Sequence, residues 1–148
     1  MRAALRTSGL VCVALGLAAS GAALAQDSGT GIDTPLTDTP GNPTRGKRIV
    51  AEAASVTCLI CHILPLPNEP DMGEIGPPLL GVGSRMSVAE IRQRIVDPKV
   101  LDPDTVMPSY YRTERLFRVG EAYRGQTIYT AQEVEDVVAY LASLTEAQ

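Results

Sequence analysis

Aromatic side chains are scarce and unevenly placed in this chain. Its 148 residues include no tryptophan, one phenylalanine, five tyrosines and a single histidine, and every aromatic ring of Phe or Tyr lies at or after Tyr110. Folding a domain of about 100 residues must offset on the order of 100–200 kcal/mol of conformational entropy. Two interpretations are open for the part before Tyr110: a core of aliphatic side chains alone, or a large planar cofactor that supplies the missing apolar bulk.

An excess of positive charge is also absent. The chain has 13 Lys and Arg against 17 Asp and Glu, which gives a net charge of −4. A protein that binds nucleic acid through the phosphate backbone typically carries a basic surface. The composition therefore does not indicate a nucleic-acid-binding protein.

The N-terminal apolar run, from Leu10 to Ala19, is shorter than the roughly 20 residues that a membrane-spanning helix needs. Arg2 and Arg6 precede it, and an Ala-Leu-Ala sequence follows at 23–25, which is the pattern of a cleavable signal peptide. We expect residues 1–25 to direct export to the periplasm and to be removed. No association with a membrane is expected after cleavage.

The segment after the signal is poor in apolar residues. Residues 26–43 are rich in Gly, Pro, Thr and Asp, so we expect a flexible leader outside the fold. Residues 44–148 would then form the domain. Ile49 and Val50 belong to an apolar series at helical spacing that predicts a first helix from about 45 to 54.

Two capping boxes predict the later helices. Ser87 with Glu90 opens a short helix that carries Val88, Ile91 and Ile95 on one face and stops at Asp97-Pro98. Thr130 with Glu133 opens a last helix over 131–144, whose apolar stripe is Val134, Val137, Val138, Leu141 and Leu144. There is no internal repeat and no strand-like alternation. The fold class predicted is all-α, with three or four short helices joined by long loops.

The stretch VTCLICHILP, residues 56–65, places Cys58, Cys61 and the lone histidine, His62, within five positions. A disulfide between the two cysteines would close too small a loop to stabilise much, and a redox dithiol of the thioredoxin kind needs a βαβ context. Structural zinc needs four ligands, but once Cys12 leaves with the signal no other Cys or His remains. A nucleophilic cysteine needs a base held opposite it, whereas this histidine is adjacent.

Covalent haem accounts for the motif without these difficulties. In C-x-x-C-H both thiols form thioethers with the haem, and the following histidine binds the iron from the same side. We therefore predict one covalently bound haem c, attached through Cys58 and Cys61, with His62 as an axial iron ligand.

The second axial ligand must come from a side chain other than histidine. Three methionines are candidates: Met72 follows the haem motif closely, Met86 directly precedes a capping serine, and Met107 lies in a loop between helices. The loop position favours Met107, since methionines near helix starts more often fill gaps in packing. Ligation by His and Met raises the reduction potential and fills both axial positions, which favours electron transfer over catalysis at the iron.

The segments CLICH, IGPPLLGVGSR and the Met107 loop, in this order before a terminal amphipathic helix, resemble class I c-type cytochromes. The resemblance implies that the Pro77 carbonyl accepts a hydrogen bond from His62 Nδ1 and that Leu79 packs on the haem. Such second partners fix the orientation of a metal-binding histidine.

The same resemblance implies that the first and last helices cross near a glycine. Gly46 and Val50 would lie against Val137 and Tyr140. Val50 stands where the family often has an aromatic residue, which implies a weaker contact here.

A narrower resemblance covers most of residues 44–145. DPDTVMPSYYR and AYRGQTIYTAQEVEDVVAYLASL are similar to SoxX, the small monohaem subunit of the sulfur-oxidising SoxXA complex. It implies pairing with a SoxA-like c-type cytochrome and transient contact with a SoxYZ-like carrier and a downstream electron acceptor. The pair would act as an L-cysteine S-thiosulfotransferase, coupling thiosulfate oxidatively to a carrier cysteine. The catalytic haem would lie on the partner, so no catalytic residue is implied here.

Alternatives remain beside this interpretation. One is a free-standing class I electron shuttle without a dedicated partner, and another is a redox dithiol protein. The residues after Met107 are rich in tyrosine and arginine, as protein interfaces are, but such side chains also line haem pockets. The residues concerned are Tyr110, Tyr111, Arg112, Arg115, Phe117, Arg118, Tyr123, Arg124 and Tyr129.

Overall fold

Four α-helices and three 3-10 turns form the regular structure in the computed structural model, which describes residues 31–52, 57–69 and 71–145. The α-helices are α1 (Pro43–Ala51), α2 (Val82–Arg85), α3 (Val88–Val96) and α4 (Ala131–Ser143), and the 3-10 turns are Cys58–Ile60, Pro98–Val100 and Glu121–Tyr123. No residue in those ranges is in a strand, so the all-α prediction is confirmed. None of their helices is long and apolar enough to cross a membrane. The predicted signal peptide, residues 1–25, lies outside the described ranges.

Helix α1 begins two residues before its predicted start, because Asn42 caps it. The Asn42 side chain accepts a hydrogen bond from the Arg45 backbone N–H at 3.0 Å, and Pro43 occupies the first turn, where its missing N–H costs nothing. The helix ends at Ala51, since Glu52 has an extended backbone with ψ of 116°. Residues 53 and 54, the predicted end of the helix, are not among the described residues.

Helices α1 and α4 cross at Gly46. A Cβ atom at this position would lie 2.0 Å from the carbonyl oxygen of Asp136 and 2.9 Å from the Cβ of Tyr140. Only glycine allows the two backbones to approach so closely. Val50 and Val137 are completely buried. The contact of Gly46 with Tyr140 is therefore as the resemblance to class I cytochromes implied.

Both capping boxes form. Ser87 and Glu90 exchange side-chain and backbone hydrogen bonds at the start of α3, and Thr130 and Glu133 do so at the start of α4. The apolar stripe of α4 is buried apart from the half-buried Leu144. Val88 does not share the buried face of α3. It occupies the first helical position and is 48% exposed, because α3 packs against the core only through its later turns.

The expectation of a leader outside the fold is wrong for residues 31–42, which we call the N-terminal strap. This strap packs along α3 and α4. The Ile32 N–H donates to the Ala89 carbonyl at 3.1 Å, and the Leu36 N–H donates to Glu135 Oε1 at 3.0 Å. The Asn42 N–H donates to Asp136 at 2.7 Å. Two α4 carboxylates and one α3 carbonyl thus satisfy backbone N–H groups of a segment that has few apolar side chains of its own.

Adjacent carboxylates on α4 also bind two arginines. Arg92 of α3 donates two hydrogen bonds to Glu135, at 2.8 and 3.0 Å, and both side chains are buried. A third Arg92 N–H donates to the Ile32 carbonyl of the strap at 2.6 Å. Arg45 of α1 donates two hydrogen bonds to Asp136, at 2.7 and 3.0 Å. Helix α4 is therefore joined by ion pairs to α1 and α3, and by hydrogen bonds from backbone N–H groups to the strap.

Burial alone would raise the pKa of Glu135, but the hydrogen bonds from Arg92 and from the strap outweigh it and hold the pKa below its usual value of 4.5. The hydrogen bonds from Arg45 lower the pKa of Asp136 below 3.8. Both side chains are consequently carboxylates at neutral pH, and the two ion pairs are intact there.

Candidate haem site

A cavity of about 440 Å³ opens between the haem motif, α3 and the loops around residues 75–79 and 98–108. This volume falls within the roughly 300–1,000 Å³ that pockets for small organic ligands occupy. Apolar side chains from α2, α3 and α4 form part of the wall. The predicted site residues Cys58, Cys61, His62, Pro77, Leu79 and Met107 all line it.

The imidazole of His62 is oriented by the backbone that follows Gly76. His62 Nδ1 lies 2.8 Å from the carbonyl oxygen of Pro77. A carbonyl can only accept, so Nδ1 carries a proton, and in the neutral imidazole Nε2 then has a free lone pair. That is the tautomer in which Nε2 can bind a metal, with the Nδ1 hydrogen bond as its second partner.

Gly76 lets the Pro77 backbone come this close to the ring. A Cβ atom at position 76 would lie 2.3 Å from Cε1 of His62, well inside van der Waals contact. The Gly76 N–H also donates to the Cys61 carbonyl at 2.7 Å, which ties the loop to the haem motif. A cradle that excludes even a methyl group holds the imidazole in one orientation, as an iron ligand requires.

The two motif cysteines lie at the wall of the cavity. Cys58 is buried, and burial raises its pKa to about 11 even though the hydroxyls of Tyr110 and Tyr129 lie within hydrogen-bonding reach. Before the haem is attached, Cys58 is therefore an uncharged thiol at neutral pH. An uncharged sulfur at this wall is compatible with a thioether bond to the haem.

Tyr110 and Tyr129 stack on each other beside Cys58. Their ring centroids are 4.7 Å apart with an interplanar angle of 26°, and both side chains are buried. The Tyr129 N–H donates to the Tyr110 carbonyl at 3.0 Å, so backbone and rings pair together. For these two tyrosines the structure settles the question left open by the sequence: they belong to the wall behind Cys58 and not to the surface.

The three candidate methionines differ in whether they line the cavity. Met72 Sδ accepts a hydrogen bond from the Leu64 N–H at 3.2 Å, and Met72 does not line the cavity. Met86 and Met107 both line it. The Met107 loop is held by Lys99, whose Nζ donates to the Thr105 carbonyl at 2.6 Å. Ligation by Met107 stays a prediction, with Met86 as the competing thioether.

Charged groups at the cavity were missed by the sequence analysis. Arg94 of α3 and Asp102 of the following loop both line it. Arg94 lies one helical turn after Ile91 and next to Ile95, both of which line the cavity too. The spacing of Arg94 along the apolar face of α3 was the signal that could have identified it. Nothing in the sequence around Asp102 marks it as a lining residue.

A solved structure of a c-type cytochrome complex is similar to this chain. The chain matches the crystal structure of SoxXA from P. pantotrophus with 36% sequence identity and a TM-score of 0.71, covering 79% of this chain and 91% of that one. The chain belongs to the SoxX family. Its class I cytochrome c fold and its covalent haem c are those of SoxX cytochromes, and Cys58, Cys61, His62 and the Gly76 cradle fit such a group.

Two other c-type cytochromes match less well. They are SorU from Sinorhizobium meliloti and ferric cytochrome c-550 from Paracoccus versutus, each 19% identical to this SoxX-family chain. Their TM-scores are 0.45 and 0.39, over 70% and 71% of this chain and 90% and 98% of theirs, so the family assignment does not depend on them. No protein-family model and no curated protein sequence matches the chain.

Proposed function

We propose that this chain is the monohaem electron-transfer subunit of a periplasmic, thiosulfate-oxidising complex and pairs with a SoxA-like c-type cytochrome. The observation that carries the proposal is the match to SoxXA at 36% identity over 79% of the chain. The pair would join thiosulfate to a cysteine of a SoxYZ-like carrier. As the new S–S bond forms, thiosulfate and the cysteine thiol together release two electrons and one proton, and this chain carries the electrons to a downstream acceptor.

Each predicted site residue has a role in this proposal. Cys58 and Cys61 would hold the haem covalently, and His62 and Met107 would bind its iron. Pro77 would orient His62 through its carbonyl, and Leu79 would pack on the haem. When bound, the haem supplies a one-electron redox centre. Two iron-binding side chains from one chain would leave no position for an external ligand, which suits electron transfer. The apolar wall excludes water and disfavours the more highly charged oxidised state.

The mouth of the cavity is lined by exposed apolar side chains, which a partner subunit could cover. Ile60, Ile75 and Val106 all line the cavity, and each is more than half exposed. Apolar groups gathered around one opening are typical of a surface that a bound group or another protein covers.

Purification of the protein from its native source tests the proposal. We expect it to elute as a heterodimer with a second haem protein, and the pair to become reduced when thiosulfate and the carrier protein are both added. Elution of the chain alone at monomer size would contradict the complex and favour a free-standing shuttle. Pairing without reduction by thiosulfate would contradict the proposed substrate.

Two further measurements address the cofactor and the signal peptide. Haem staining of the denatured protein should give a stained band, since the thioethers survive denaturation. An unstained band would contradict covalent haem and leave the redox dithiol. We also propose cleavage before Gln26, for which N-terminal sequencing of the exported protein is the measurement.

A further inference from the structure

Phe117 stands out on the surface because its side chain is 90% exposed. A single exposed apolar residue is ordinary, but the backbone around this one is not. Arg115 and Arg118 have φ angles of 53° and 57°, and they are the only non-glycine residues with positive φ in the described ranges. Left-handed backbone is unfavourable for arginine, and such conformations gather at functional sites. We call residues 112–118 the Phe117 loop.

The Arg112 side chain fixes the Phe117 loop through hydrogen bonds to its backbone carbonyls. Its Nε donates to the Glu114 carbonyl at 2.7 Å and one terminal nitrogen donates to the Arg115 carbonyl at 2.7 Å. The other terminal nitrogen donates to Asp97, a buried carboxylate that also accepts from Ser109 Oγ at 2.8 Å. The loop is therefore pre-shaped with Phe117 in water, which reduces the ordering cost of binding a partner.

The surroundings of Phe117 are basic although the chain as a whole is acidic. Residues 111–124 contain four arginines and two glutamates, within a chain of net charge −4. Arg115 and Arg118 are exposed, and neither forms an ion pair with a described residue. Phenylalanine and arginine are both enriched at the centres of protein interfaces. The complementary surface would carry carboxylates around an apolar slot.

The loop also adjoins the haem site. Arg112 is held by Asp97, whose neighbour Pro98 lines the cavity, and the cavity residue Tyr110 lies two positions before Arg112. A partner bound at the loop would therefore lie close to the cavity wall. That position suits a partner that exchanges electrons with the haem.

We propose that the Phe117 loop is a docking element for the haem-bearing partner subunit, with Phe117 in an apolar slot and Arg115 and Arg118 against carboxylates. This inference rests on the proposed function, because its occupant is the second subunit of that complex. Other occupants, such as the carrier protein or a second copy of this chain, are outcomes that the following experiment distinguishes.

The test measures binding of the haem-loaded, full chain to the purified SoxA-like subunit by calorimetry. Phe117→Ala is expected to weaken the affinity at least tenfold, whereas the control Val88→Ala, an exposed apolar residue at the far end of α3 from Asp97, is expected to leave it within twofold. The double variant Arg115→Gln/Arg118→Gln is expected to weaken binding at low salt and to reduce its salt dependence. The haem spectrum and thermal midpoint should be unchanged in each.

The outcomes separate the two proposals. If the unchanged pair binds but Phe117→Ala binds equally well, or if Val88→Ala is equally impaired, the docking role is wrong while the proposed function stands. If Phe117→Ala impairs only binding of the carrier or self-association, the assigned occupant is wrong. If the unchanged chain does not bind the partner at all, the proposed function and the docking role both fail.

Discussion

The Nδ1 nitrogen of His62 lies 2.8 Å from the carbonyl oxygen of Pro77, fifteen positions later in the chain. The acceptor is a backbone atom, so no side-chain replacement at 77 can remove it directly. What controls the contact is the neighbouring position, where Gly76 leaves room for the imidazole. The geometry of the predicted axial ligand is thus set by a residue that carries no side chain.

Gly76→Ala is expected to displace the His62 ring, because the new methyl group would lie 2.3 Å from Cε1. Loss of the second partner of a metal ligand typically costs about 10–100-fold in metal affinity. We expect a shifted reduction potential and partial loss of the native spectrum, measured by redox titration and absorption. Gly120→Ala is the control, since its nearest neighbour would be 3.9 Å away. Equal spectra for the two variants would contradict the role of Gly76.

Met107→Ala is expected to abolish the weak long-wavelength charge-transfer band of thioether-ligated ferric haem and to lower the reduction potential. Met86→Ala removes the other cavity methionine and should keep the band. Absorption spectra of the two ferric proteins are the measurement. A band that persists in Met107→Ala and vanishes in Met86→Ala would reverse the assignment.

Arg92→Leu is expected to destabilise the fold by about 3–5 kcal/mol, because it leaves the buried Glu135 carboxylate without its cation. The double variant Arg92→Leu/Glu135→Leu removes both charges and should recover part of that loss. Recovery should be incomplete, since Glu135 also accepts the Leu36 N–H. Urea unfolding of the haem-loaded proteins gives the values. A double variant no more stable than the single one would argue against an uncompensated charge as the cause.

Stability should fall in acid partly through Asp136. Its pKa in the folded protein lies below the usual 3.8, chiefly because of the hydrogen bonds from Arg45. A lowered folded pKa means that the stabilisation is complete above the unfolded value and is lost as the pH falls through the folded one. Asp136→Asn should lower the stability near neutrality and flatten its pH dependence below about pH 4. Unfolding free energies across this range are the measurement, and a slope identical to that of the unchanged protein would contradict it.

Tyr140→Phe is expected to stabilise the protein by about 1 kcal/mol, because a buried hydroxyl without a partner carries an uncompensated desolvation cost. The Tyr140 hydroxyl is buried and has no hydrogen-bond partner among the described residues. Tyr129→Phe is the comparison, since that hydroxyl lies near the Cys58 thiol. Thermal and urea unfolding give the answer; a clear loss of stability in Tyr140→Phe would reveal a partner.

The features predicted correctly from the sequence depend on residues that are only a few positions apart. The capping boxes at Ser87 and Thr130 involve residues three positions apart, and both helices start where these residues indicate. The haem motif is also local, and its residues line one cavity. By contrast, nothing near Val88 indicates that the first turn of α3 extends beyond the packed core.

Long-range contacts account for what the sequence did not reveal. The strap looked like a flexible leader because its hydrogen-bond acceptors, Glu135 and Asp136, belong to the last helix. The sequence also did not show which aromatic residues after Met107 are buried and which are exposed. Tyr110 is buried and Phe117 exposed because of how the chain turns around Arg112, and that turn uses left-handed arginines, which no residue preference predicts.

The strap also sets the order of events during folding. Leu36 and Asn42 bind partners 99 and 94 positions away, so these contacts raise the contact order of the fold. Closing so long a chain loop costs entropy before the contacts form, which slows folding. The Leu36 and Asn42 N–H groups have their acceptors on α4, so they stay hydrated until that helix has formed. We therefore expect this part of the strap to dock late in folding.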